Sequence, residues 1–254
     1  MPAAARRHLR LFVLLLVAAL WTAPAARAES AAVDIELVLA VDVSRSIDDD
    51  EYALQKRGYA EAFVNPAVLN AIRANPHQRI AVTLVEWAGS DFQKVVVPWT
   101  MISDEESGKL FSEAIIQSSR SFWGWTSISG AIDASVPLFG HGYEGTRKVI
   151  DVSGDGVNNS GRPASMARDE ALARGITING LVIMNDKPNP GFVQRPQPPL
   201  DEFYRDNVIG GPGAFLVAID DFESFAFAIV NKLVKEIASL PPGNGLSVAE
   251  LKRR

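Results

Sequence analysis

The 254-residue chain contains no cysteine. Disulfides, zinc–thiolate centres and thiol nucleophiles are therefore excluded. Histidine is nearly as scarce, with three in the whole sequence (His8, His77 and His141). A serine–histidine hydrolase needs a nucleophile elbow and a nearby histidine. No Gly-x-Ser-x-Gly occurs, and His77 and His141 sit in polar loop contexts. The phosphate-cradling Gly-x-x-x-x-Gly-Lys is also missing. Positive charge is in deficit, with 25 Lys and Arg against 30 Asp and Glu, which argues against a nucleic-acid partner. No apolar run reaches the roughly 20 residues that span a bilayer.

The longest such run, Leu11 to Leu20, lies near the start. Arg6, Arg7, His8 and Arg10 precede it, and Ala26-Arg27-Ala28 follows with small residues at the outer positions. Charged segment, short apolar segment and small-x-small site are the parts of a cleavable export signal. Residues 1–28 are expected to be that signal, with cleavage near Ala28 and a secreted or periplasmic product without a membrane span. The removed segment carries four arginines and no acid. That leaves 21 Lys and Arg against 30 Asp and Glu, a net charge of about −9.

The remainder is long enough for one hydrophobic core, expected over residues 33–238, with a loose tail at 239–254. Strands and helices alternate. Ile35 to Val43 is almost wholly apolar, as suits a central parallel strand covered on both faces. Acids 48–51 suit a helix start, and Tyr52, Gln55, Tyr59 and Phe63 then recur at helical spacing towards Asn65-Pro66. Ile80 to Trp87 and Phe92 to Trp99 are two strands joined so tightly that they form an antiparallel pair, and Pro98 puts the second at the sheet edge. Helices are expected over 104–118, 127–138 and 163–174, the last closed by Gly175. Strands are expected over 147–153, 176–184 and 214–219. The five prolines within 185–200 mark an irregular loop. A long helix capped by Asp220-Asp221 runs to about Ala238. The fold class is thus α/β: a three-layer, open, mostly parallel sheet with one antiparallel edge strand and helices on both faces.

Ligands of such sheets gather at the carboxyl ends of strands. Three polar clusters fall there or just beside: Asp42-Val43-Ser44-Arg45-Ser46, Gly124-Trp125-Thr126-Ser127 and Gly154-Asp155-Gly156. Residues 42, 44 and 46 project to one side in extended backbone. Asp42, Ser44, Ser46, Thr126 and Asp155 offer hard oxygen donors, which suit magnesium, manganese or calcium. Two carboxylates leave a dication electrophilic, with room for a sixth ligand such as a carboxylate from a protein partner.

Asp-x-Ser-x-Ser after an apolar strand, Gly-x-Thr before a helix and an apolar strand ending in Asp-Gly resemble the metal-ion-dependent adhesion site of von Willebrand factor A-like domains. The resemblance covers residues 33 to 238 and extends to the order of elements. It implies direct hydroxyl ligation by Ser44 and Ser46. Thr126 would ligate directly in one state and through water in another, and Asp42 and Asp155 directly or through waters. Trp125 departs from the small residue common before the threonine. Glu86-Trp87 and Pro98-Trp99 make the chain most similar to a bacterial exported branch of uncharacterised proteins.

The function implied is metal-dependent protein binding rather than catalysis. A phosphoaspartate phosphatase would need an acid where Ser44 stands. A structural ion without a partner and, less favoured, a metal-dependent hydrolase are the alternatives. Trp123 and Trp125 could rim the site, although packing on neighbouring loops is the commoner fate of such residues. Glu86, at the end of its strand, could sit near the site, although an exposed or salt-bridged acid is the commoner case.

Overall fold

A computed structural model describes residues 30–184 and 198–238. The expected export signal, most of the proline-rich loop and the C-terminal tail lie outside the described residues. No helix among those described is long and apolar enough to cross a membrane.

Among the described residues six strands form one sheet: β1 (Ala31–Asp42), β2 (Ile80–Trp87), β3 (Gln93–Ile102), β4 (Tyr143–Gly154), β5 (Ile176–Ile183) and β6 (Leu216–Ile219). Their spatial order is β3-β2-β1-β4-β5-β6. Only the β2–β3 pair is antiparallel, with β3 at the edge. The register of that pair slips between Val82 and Val85, opposite Pro98. Proline has no N–H for the ladder and is tolerated at such an irregular edge.

Among the described residues seven helices cover the sheet: α1 (Asp49–Ala62), α2 (Pro66–Arg73), α3 (Glu105–Gln117), α4 (Ile128–Ser135), α5 (Ala164–Ala173), α6 (Leu200–Asn207) and α7 (Phe225–Ala238). Side chains alternate along a strand, so each strand feeds two cores. Leu37, Leu39 and Val41 of β1 pack with Tyr59, Phe63, Phe111, Phe225 and Leu233 from α1, α3 and α7. Val38 and Ala40 pack on the other face with Ile128, Ile132, Ala167 and Tyr204 from α4, α5 and α6. Helices on both faces of a mostly parallel sheet give the three-layer α/β architecture expected from the sequence.

Local chemistry sets the element ends. Asp48 accepts from Glu51 N at 2.9 Å and the Glu51 carboxylate accepts from Asp48 N at 2.9 Å. This reciprocal cap starts α1 immediately after the Asp-x-Ser-x-Ser loop. α2 has no counterpart among the sequence expectations. Asn65 ends one helix and caps the next, accepting from Ala67 N, and Pro66 takes the first helical position. The expected helix over 127–138 becomes α4 plus a 3-10 turn at Val136–Leu138, because Pro137 cannot donate within an α-helix. Gly175 closes α5 at φ +73, as expected. α7 begins at Phe225, later than expected, because the Asp221 carboxylate caps a turn at Ser224 N instead.

Candidate metal centre

β1 and β4 are adjacent and parallel, with Val41 opposite Ser153. Their carboxyl ends therefore deliver Asp42 and Asp155 side by side. The connections from β1 and β4 leave towards opposite edges of the sheet, which opens a crevice at this point. The segment preceding α4 closes it: Arg45 N donates to Gly124 O at 2.9 Å, and Ser127 N to Ala88 O at 2.7 Å.

The structure brings all five expected residues together. Ser44 N donates to Asp42 Oδ1 at 2.7 Å. The Ser44 and Ser46 hydroxyls are 3.1 Å apart. Ser46 Oγ donates to Asp155 Oδ1 at 2.6 Å, and Thr126 Oγ1 reaches Ser44 Oγ at 3.4 Å. Asp42, Ser44 and Thr126 are buried, whereas Ser46 and Asp155 are half-buried. The cluster is thus walled below and open on the Ser46–Asp155 side.

Two features bear on whether a cation fits. Asp42 Oδ2 is cut off from solvent and accepts no hydrogen bond, an unusual state for a carboxylate oxygen. Burial, and then the Asp155 carboxylate, push the Asp42 carboxyl well above its ordinary range. Both point to missing positive charge, and a dication among these oxygens would supply it. Among the described residues no three His, Cys, Asp or Glu side chains converge. A site here therefore depends on serine and threonine hydroxyls, which favours a hard cation. The residues present fit such an ion.

Three supporting residues escaped the sequence reading. Arg120 Nη2 donates to Val43 O at 2.9 Å, Ser44 O at 3.0 Å and Ile47 O at 2.8 Å, fastening the loop after β1. Asn159 Oδ1 accepts from Thr126 N at 2.8 Å, while Asn159 N donates to Thr126 O at 2.9 Å. Tyr204 of α6 is fully buried beneath the site. No sequence pattern marks a lone arginine, asparagine or tyrosine for such work. Glu86 is neither exposed nor salt-bridged: it is buried and accepts from Tyr52 Oη at 2.7 Å and Ser121 N at 2.8 Å. Trp123 and Trp125 are 59% and 55% exposed, with Phe92 47% exposed. Each keeps about half of its surface in solvent, while Phe92 also touches the Phe122 ring, with centroids 5.5 Å apart. The Arg120 guanidinium lies 4.0 Å from the Trp123 ring centre and steadies it.

A family model described as "Protein of unknown function (DUF1194)" matches residues 32–241. The chain belongs to that family. No curated protein matches it. Among solved structures, this DUF1194 member is similar to the pilus adhesin SpaC from Lactobacillus rhamnosus GG, with TM-score 0.59 and 13% identity over 81% of this chain and 30% of the other. It is similar to proximal thread matrix protein 1 of the mussel byssus, with TM-score 0.55 and 17% identity over 82% of this chain and 46% of the other. A von Willebrand factor type A structure from Catenulispora acidiphila gives TM-score 0.54 and 14% identity over 82% and 42%. The chain spans less than half the length of each. At these identities the likeness establishes the fold, which is that of von Willebrand factor A-like domains. One structure of the mussel protein has a zinc-occupied MIDAS motif.

Proposed function

We propose that the protein is an exported, metal-dependent protein-binding domain, with Asp42, Ser44, Ser46, Thr126 and Asp155 holding magnesium, manganese or calcium. The observation that carries this reading is the convergence of five oxygen-bearing side chains, among them the buried Asp42, whose Oδ2 has no partner. The signal-like first 28 residues support export. A cation held there would offer its open position to a carboxylate from the partner. The half-buried Ser46–Asp155 side supports access by such a group. The exposed Phe92, Trp123 and Trp125 rings beside it suit an apolar contact around that carboxylate. The adhesin and matrix proteins that share the fold support a protein partner over a small molecule.

Binding, not catalysis, is proposed because the Ser46 and Asp155 pair is read as ligands and the described residues bring no histidine to the site. His77 and His141 precede β2 and β4, so they lie at the amino ends of the strands, away from the cluster.

Calorimetric titration of magnesium, manganese, calcium and zinc into the protein lacking residues 1–28 tests the ion. The expected result is saturable binding of at least one of the first three, abolished in Asp42→Ala and Asp155→Ala while both variants stay folded by circular dichroism. Undiminished affinity in both variants would sink the assignment. For the partner, capture from periplasmic extract is expected to fail in EDTA and with Ser44→Ala. A partner retained under both conditions would place binding on another surface.

A further inference from the structure

Asp42 Oδ2 is not the only buried oxygen here without a partner. Tyr204 Oη is fully enclosed and also makes no hydrogen bond. The two atoms face the same small space. Asp42 and Gly154 share strand parity with Ala40 and Val152, so both turn to the face on which Tyr204 packs. A Cβ on Gly154 would lie 2.8 Å from Tyr204 Oη and 3.0 Å from Asp42 Oδ2. Both oxygens are therefore within 3.0 Å of one point. Glycine at 154 puts no side chain between them. One oxygen can only accept while ionised, and the other carries a proton to give. Buried polar groups are nearly always paired, by protein or by an ordered water.

We propose that Tyr204 is a positioning residue of the metal centre: its hydroxyl donates to Asp42 Oδ2, directly or through one water, and sets the carboxylate for the ion. This rests on the metal reading above. Asp42 Oδ1 is already turned to Ser44 N at 2.7 Å. With a donor on each oxygen, the carboxylate is fixed before any ion arrives. Partners of this kind behind a metal ligand are typically worth 10–100-fold in affinity. Tyr204 comes from α6, an element that supplies none of the five proposed ligands. The contact would therefore tie the order of α6 to occupation of the site.

The test compares wild type with Tyr204→Phe. Manganese is titrated into each by calorimetry, and each is melted in EDTA. The expected result is binding weakened roughly 10–100-fold, together with a lower melting temperature in EDTA, because the change also takes a donor from the buried Asp42 Oδ2 of the ion-free protein. A purely structural tyrosine leaves the affinity within about two-fold of wild type, whatever the melting temperature, which overturns the proposal. A second measurement needs no variant. Manganese is expected to slow amide exchange across Leu200–Asn207 in wild type. Protection confined to the Ser44 and Thr126 segments overturns the link to α6. Absence of manganese, magnesium or calcium binding in wild type would instead bring down the metal reading itself, and it would show before any variant is made.

Discussion

At the scale of single residues, the proposed ligands and their supports differ in how they could be found. Asp42, Ser44 and Ser46 lie within five residues, while Thr126 stands two residues after Gly124 before a helix and Asp155 lies between Gly154 and Gly156 at the end of an apolar run. Their chemistry is written in local spacing, so it was legible. Arg120 was not. Its importance arises only when the segment after α3 crosses the loop after β1. Its side chain is nearly buried, serves three backbone carbonyls and stacks on Trp123. Its contact with Asp49, whose side chain is 82% exposed, contributes little because water screens it. Arg120→Ala should lower stability by about 2–3 kcal/mol in chemical denaturation, since it strands buried acceptors. Arg120→Lys should recover little of this, because an ammonium has neither the planar fork nor the stacking face. Full recovery by lysine would mean that charge alone matters at this position.

At the scale of elements, the order was read well, and the helices expected over 104–118 and 163–174 fall within one residue at each end. β1 and β4 begin four residues earlier than expected, and α2 and α6 have no counterpart among the expected ranges. β1, β2 and β5 are buried along nearly their whole length, so their apolar runs have a single explanation. α2 was missed because Asn65-Pro66 serves equally as a stop and a start. Coupling between elements was not legible. Asn159, in the loop after β4, grips both backbone polar groups of Thr126, in the segment before α4. Two of the three proposed ligand-bearing segments are thereby locked together without any ion. Asn159→Ala removes the side-chain half of this grip and leaves Thr126 N without it. The expected cost is about 1 kcal/mol in denaturation, with manganese affinity weakened several-fold in calorimetry. A loss of stability with unchanged affinity would show that Thr126 keeps its place by other means.

At the scale of the whole molecule, the two faces of the sheet are occupied differently. The face carrying Asp42 holds the proposed metal centre. The opposite face buries a separate charged group where β4, β5 and α7 meet. Lys232 Nζ lies 2.5 Å from Asp151 Oδ1 and 3.5 Å from Glu236 Oε1, with all three side chains shut off from water. Asn179 Nδ2 donates to Glu236 Oε1 at 2.6 Å. Arg147 donates to the Glu236 and Ile237 carbonyls, closing the end of α7. One lysine faces two carboxylates, so only one of them is neutralised. Burial is the largest influence on Glu236 and raises its carboxyl to about 7, against the opposing pull of Lys232 and with a further push from Asp151. The unfolded chain releases this proton near the ordinary glutamate value of 4.5, whereas the folded chain keeps it to about 7. Between those values the folded state binds more protons, so stability falls as pH rises and levels off above the upper value. Glu236→Gln can present an amide oxygen to Asn179 and has no charge to bury. Its stability relative to wild type should therefore grow from pH 5 to pH 8, reaching ~3 kcal/mol at most. Paired thermal melts across that range, in EDTA to keep the metal centre out of the comparison, would show the two curves diverging as pH rises. Parallel curves, or a variant that loses ground at high pH, would mean that Glu236 is ionised in the fold and that Lys232 compensates both carboxylates.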